Sequence, residues 1–120
     1  MRRDPRLYID DILDAISNIR EYTTGQNYEI FQQDRKTQDA VVRNLEIIGE
    51  AAGRLPDFLL AAAPKIEWRK IVGLRNILAH AYFSVSIPVV WDVMQNKLGQ
   101  LENACRELLE VDMLGREERE

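Results

Sequence analysis

Apolar residues recur every three or four positions through most of this chain, and almost nowhere in the strict alternation that marks a strand. The first such stretch carries Ile9, Ile12, Leu13, Ile16 and Ile19. Asp4 followed by Pro5 supplies an N-cap and a first helical position, and Gly25 marks the stop. Tyr28 to Gln33 reads as a short connecting turn of helix. Asp34 then caps a second long helix reaching about Arg54, with Val41, Leu45, Ile48, Ala52 and Leu55 along one side. Gly49 lies inside it at a propensity cost of roughly 1 kcal/mol, which a close helix–helix contact would explain. Pro56 and Pro64 bracket a short apolar segment, residues 57–63. A third helix runs from Glu67 or Trp68 to about His80. Ser86-Ile87-Pro88 reads as the N-cap and first turn of a fourth. That helix has the cleanest stripe of all: Ile87, Val90, Trp91 and Met94, then Leu98, Leu101, Cys105 and Leu108. Such a stripe faces either the core or a partner. The pattern predicts an all-α protein, an antiparallel bundle of four to five helices. Residues 1–112 form the single domain, and the charged stretch 113–120 is expected to be a disordered tail.

Composition narrows the class. Apolar residues are 46% of the 120 and charged ones 30%, the balance of a chain that folds around a core. The longest apolar run, Phe58 to Ala63, is far too short to span a bilayer, and with no apolar stretch after Arg2-Arg3 a secretory signal is not expected. The single cysteine, Cys105, cannot make an internal disulfide, so a reducing cytoplasm is expected. With one histidine and one cysteine, a dedicated zinc site has too few suitable ligands, and no cofactor or metal is expected. The net charge of −4 argues against a basic coat for nucleic acid. Its distribution changes that picture. Residues 65–82 carry Lys65, Arg69, Lys70 and Arg75 against Glu67 alone, and this one positive stretch holds the only histidine.

Candidate chemistry is concentrated there, in Arg75-Asn76-Ile77-Leu78-Ala79-His80-Ala81-Tyr82. At 100° per residue Asn76 and His80, four apart, lie on one helix face. His80 sits about 140° round from Arg75, and Tyr82 reaches the other three only if the helix ends near His80. Each residue alone has an ordinary structural reading: a surface ion-pair arginine, a satisfied histidine, a half-buried aromatic. Together they form Arg-Asn-x-x-x-His-x-Tyr.

That pattern resembles the Arg-x4-6-His signature of HEPN domains, in the Arg-x4-His-x-Tyr form of HepT-like toxins. The flanks carry the specificity. Asp34-Arg35-Lys36-Thr37-Gln38-Asp39-Ala40 and Arg43-Asn44-Leu45-Glu46-Ile47-Ile48-Gly49-Glu50-Ala51 resemble that family's second helix. Trp68-Arg69-Lys70-Ile71-Val72-Gly73-Leu74-Arg75-Asn76 resembles its third, and Val89-Val90-Trp91 its fourth. The similarity covers about residues 4–110.

The resemblance implies a homodimeric, metal-independent RNA endonuclease with a minimal nucleotidyltransferase as its antitoxin partner. RNA supplies its own nucleophile, the 2′-hydroxyl, once a base removes its proton. A histidine is matched to that transfer at neutral pH, and a nearby Arg75 disfavours the imidazolium. Arg75 also holds phosphate oxygens with a planar, permanently charged fork. Asn76 orients His80 or the phosphate, Tyr82 and Lys70 support RNA binding, and Glu50 either orients Arg75 or is a helix-surface glutamate. Cleavage of this kind uses a base and a separate acid, yet each chain has one histidine; two facing chains bring two copies of His80 to one cleft. Tyr82 is the expected acceptor of AMP from the antitoxin. The alternative is a non-catalytic nucleotide-binding module that regulates a neighbouring nucleotidyltransferase. It would not need Arg75 and His80 together.

Overall fold

The computed structural model describes residues 3–80 and 86–111, with 75–80 described by their backbone alone. Seven helices account for most of them: α1 (Pro5–Tyr22), α2 (Tyr28–Gln33), α3 (Arg35–Ala52), α4 (Asp57–Ala62), α5 (Trp68–His80), α6 (Ile87–Asn96) and α7 (Leu98–Leu108). The described residues contain no strand. Tyr82 and the tail expected to be disordered lie outside them.

The starts of the helices follow from local chemistry. The Asp4 carboxylate accepts from the Arg6 amide at 3.0 Å, with Pro5 at the first helical position. Asp34 accepts from the Thr37 amide at 3.0 Å and from the Thr37 hydroxyl at 2.6 Å. Ser86 caps α6 by accepting from Val89. Each of these side chains satisfies an amide that the first turn leaves without a partner. Gly25 adopts φ +77°, the left-handed conformation that turns the chain between α1 and α2.

Two ends differ from the pattern's prediction. The second long helix stops at Ala52 rather than Arg54, because the amides of Arg54 and Leu55 return to carbonyls only three residues back, Ala51 and Ala52, at 3.1 and 3.2 Å. Leu55 is buried beyond that end. The single helix expected from Ile87 to Leu108 is two, α6 and α7, interrupted at Lys97, whose φ of −117° departs from the helical repeat. Asn96 and Gly99, weak helix formers, flank the interruption. The apolar stripe crosses it intact: Val90, Met94, Leu98, Leu101, Cys105 and Leu108 are all buried.

Helix α3 is the centre of the packing. It lies against both α1 and α5, α2 packs on it, and α7 packs on α1 and α6. Ile9, Ile12 and Ile16 of α1 meet Val41, Leu45 and Ile48 of α3 in the core, all of them at most 2% exposed. Burying one such side chain is worth about 1.5–3 kcal/mol. Asn44 is the buried polar residue in this interface among those described. Its amide donates to the Ala40 carbonyl at 2.9 Å and its oxygen accepts from Asn18 at 3.2 Å, so the site costs little. Arg20 of α1 pairs with Glu102 of α7, which also holds Arg106 at 3.1 Å. No helix among the described residues is long and apolar enough to cross a membrane.

Candidate functional site

Helix α5 carries most of the candidate residues, and its N-terminus is firmly placed. The Trp68 indole N–H donates to the Ala63 carbonyl at 3.0 Å, and the ring is buried. The Glu67 carbonyl accepts from the amides of Lys70 and Ile71 at 3.0 and 3.1 Å, starting the helical ladder. The Glu67 side chain pairs with Lys70 at 2.8 Å, which holds its carboxyl below the usual carboxylate range; the charge of Lys97 adds to the effect. A negative group at this end also suits the helix dipole. Further along, α5 lies close to α3: a Cβ built on Gly53 would stand 3.5 Å from Cγ1 of Val72.

The backbone remains helical through His80, so Asn76 and His80 stand one turn apart, and Arg75 falls about 140° round from His80. Three of the candidate catalytic and binding residues thus share the last two turns of one helix that rests on α3. Tyr82 lies outside the described residues. Lys70 is two turns from Asn76 towards the N-terminus, exposed on the surface. Glu50 is on α3, exposed, and its described partner is Arg54 at 3.7 Å, one turn on. It lines a small recess of about 140 Å³ with Arg3, Tyr8 and Asp11, on the side facing α1.

One feature of the site was not foreseen from the sequence. Beside α5 runs a groove of about 360 Å³, floored by Ile66, Ile71, Leu74, Val93 and Leu101. Lys65, Lys70 and Lys97 line it. Lys65 and Lys70 belong to the positive stretch already noted, but Lys97 arrives from the interruption between α6 and α7. Nothing local connects position 97 with position 70, so only the tertiary arrangement brings the three together. Gly73 also lines the groove, in the interior of α5. An added Cβ there would meet nothing within 4 Å, although alanine favours a helix over glycine by about 1 kcal/mol. The packing of α5 does not require a glycine at this position.

Comparison with known proteins places this geometry in a family context. The family model described as "Ribonuclease HepT-like" matches residues 12–108, which include the whole of α5. A Thermococcus cleftensis protein named "Probable ribonuclease HepT" is 39% identical over 108 residues, covering 90% of this chain and 98% of its own. Among solved structures, a Shewanella oneidensis HEPN toxin, tri-AMPylated and in complex with an MNT antitoxin, superposes with a TM-score of 0.68 at 26% identity. The match covers 92% of this chain and all of that one.

Proposed function

The chain belongs to the ribonuclease HepT-like family, and from that premise we propose that it is a toxin endoribonuclease restrained by a nucleotidyltransferase antitoxin. The observation that carries the reading is the helical backbone of α5, which brings Arg75, Asn76 and His80 into two turns of a chain of this family. His80 takes the proton of a ribose 2′-hydroxyl, whose oxygen then bonds to the adjacent phosphorus. The bond from phosphorus to the 5′-oxygen breaks, and that oxygen receives a proton from a second imidazole. The products are a 2′,3′-cyclic phosphate and a 5′-hydroxyl. Arg75 neutralises the charge that gathers on the phosphorane oxygens, and Asn76, one turn before His80, orients the imidazole or the phosphate. A homodimer supplies the second imidazole. The cytoplasm, where RNA is the abundant polyanion, is the compartment this activity needs.

Control by the antitoxin acts on Tyr82. Its phenolic oxygen attacks the α-phosphorus of ATP in the partner's active site, and pyrophosphate leaves. The phosphate so attached competes with RNA for Arg75 and adds bulk beside His80. The tri-AMPylated state of the Shewanella oneidensis toxin supports this reading.

The test is cleavage of single-stranded RNA in excess chelator by wild type, His80→Ala and Arg75→Ala. Each substitution is expected to lower the rate by about 10²–10⁴, the scale of a general acid–base group, with helicity unchanged. The wild-type product should carry a 2′,3′-cyclic phosphate or the monophosphate from its opening. Wild-type rates in both variants, or 3′-hydroxyl ends with a strict magnesium requirement, would overturn the assignment.

A further inference from the structure

The groove beside α5 combines features that a surface pocket of a helical bundle does not need. Its floor is aliphatic, from three elements: the approach to α5, α5 itself and the α6–α7 pair. Its charged residues are three lysines and one glutamate, Glu67, and that glutamate is already paired with Lys70. Neither Lys65 nor Lys97 makes an ion pair within 4 Å among the described residues, and Glu67 feels the charge of Lys97 only from further off. An aliphatic floor with cations in excess of anions suits a ligand that is apolar and flat on one side and anionic on the other. A nucleotide of an unstacked RNA strand has that form, with a base to lie on the floor and phosphates to meet the ammonium groups.

Gly73 gives a second, independent indication. It is a helix-interior glycine with open space where its side chain would stand, at the edge of this groove. A bare backbone there lets a strand pass close to the helix. His80 follows seven residues later, in nearly the same helical register and about 10 Å further along the axis. Roughly three nucleotides cover that distance at the 3.4 Å rise of a stacked strand, and fewer cover it when the strand is extended.

We propose that this lysine-lined groove is a substrate subsite, seating a nucleotide of the RNA strand two or three positions from the cleaved one, with Lys65 and Lys97 as phosphate ligands and Gly73 as the passage. The proposal rests on the ribonuclease reading of α5. The groove therefore determines how tightly a long RNA is held, while cleavage of the bond itself belongs to His80 and Arg75. A dinucleotide is too short to occupy both places.

The experiment measures binding and cleavage on the full chain. Binding of a fluorescent single-stranded oligoribonucleotide is followed by anisotropy in a His80→Ala background, over a range of salt, with and without Lys65→Gln plus Lys97→Gln, or Gly73→Leu. The lysine pair is expected to weaken binding at least tenfold and to lower the salt slope by about 1.4, two contacts at about 0.7 each. Gly73→Leu should weaken binding with the slope nearly unchanged, and Arg43→Gln on the exposed face of α3 should alter neither. With the catalytic histidine restored, the groove variants should raise KM for long RNA and leave dinucleotide cleavage at the wild-type rate. RNA affinity and salt slope equal to wild type would overturn the subsite, and so would loss of antitoxin binding in their place. Failure of the wild type to cleave any RNA would instead sink the ribonuclease reading, and the binding measurement would still decide on the groove.

Discussion

Single residues in this molecule divide between those held out of chemistry and those available for it. Cys105 is fully buried, and burial pushes its thiol up to about 12, with the charge of Glu102 acting in the same direction. A thiol is reactive as thiolate, so folded protein at pH 8 should resist iodoacetamide and become labelled only as the bundle opens. Intact-mass kinetics check this: labelling at the rate of a free cysteine without denaturant would contradict the burial. Tyr82 is assigned the opposite role. Co-expression with the cognate antitoxin should add AMP increments to the wild-type mass, and Tyr82→Phe should abolish them. Increments that persist in full would show that the acceptor lies elsewhere.

Individual helices respond to pH and propensity through their ends. Asp34 is held below its ordinary value of 3.8, first by the Thr37 hydroxyl, then by the Thr37 amide and by Gln26. A carboxylate depressed in the folded state contributes stability that is complete above its unfolded value and is lost as pH falls through the folded one. Asp34→Asn should therefore flatten the stability profile below about pH 4 and leave its shape above pH 6 unchanged, as chemical denaturation at several pH values would report. Gly99, in the first turn of α7, has nothing within 4 Å of an added Cβ. Gly99→Ala should stabilise the chain by up to about 1 kcal/mol, seen as a higher denaturation midpoint. Much of this level was legible in the sequence. Asp4, Asp34 and Ser86 cap where the pattern placed them, because capping is decided within three or four residues. The stripe of the last two helices was legible too, since burial follows periodicity even across a break. The interruption at Lys97 was not, because it changes one dihedral and spares the apolar spacing. The meeting of Lys97 with Lys65 and Lys70 was equally hidden, since it depends on how α5 and the α6–α7 pair come to lie side by side.

The whole molecule adds a question of assembly and one of closure. A mechanism with one histidine per chain predicts a homodimer whose two α5 ends share a cleft. Sedimentation alongside activity tests it: a fully active monomer would rule the shared cleft out. Closure follows from the packing of α1 against α7 and from the pair between Arg20 and Glu102, residues 82 apart in sequence. The helix that completes the cover of α1 is the last one described, while the residues assigned to cleavage precede it. During synthesis, the order in which these parts emerge is fixed. All of α5 leaves the ribosome before α7 can dock, and until then α1 lacks the part of its cover that α7 supplies. A nascent chain thus carries every assigned catalytic residue before its bundle is closed, and translation itself delays the appearance of a finished toxin. A chain halted at Asn96 should be proteolysed rapidly and should not cleave RNA, although it contains His80 and Arg75.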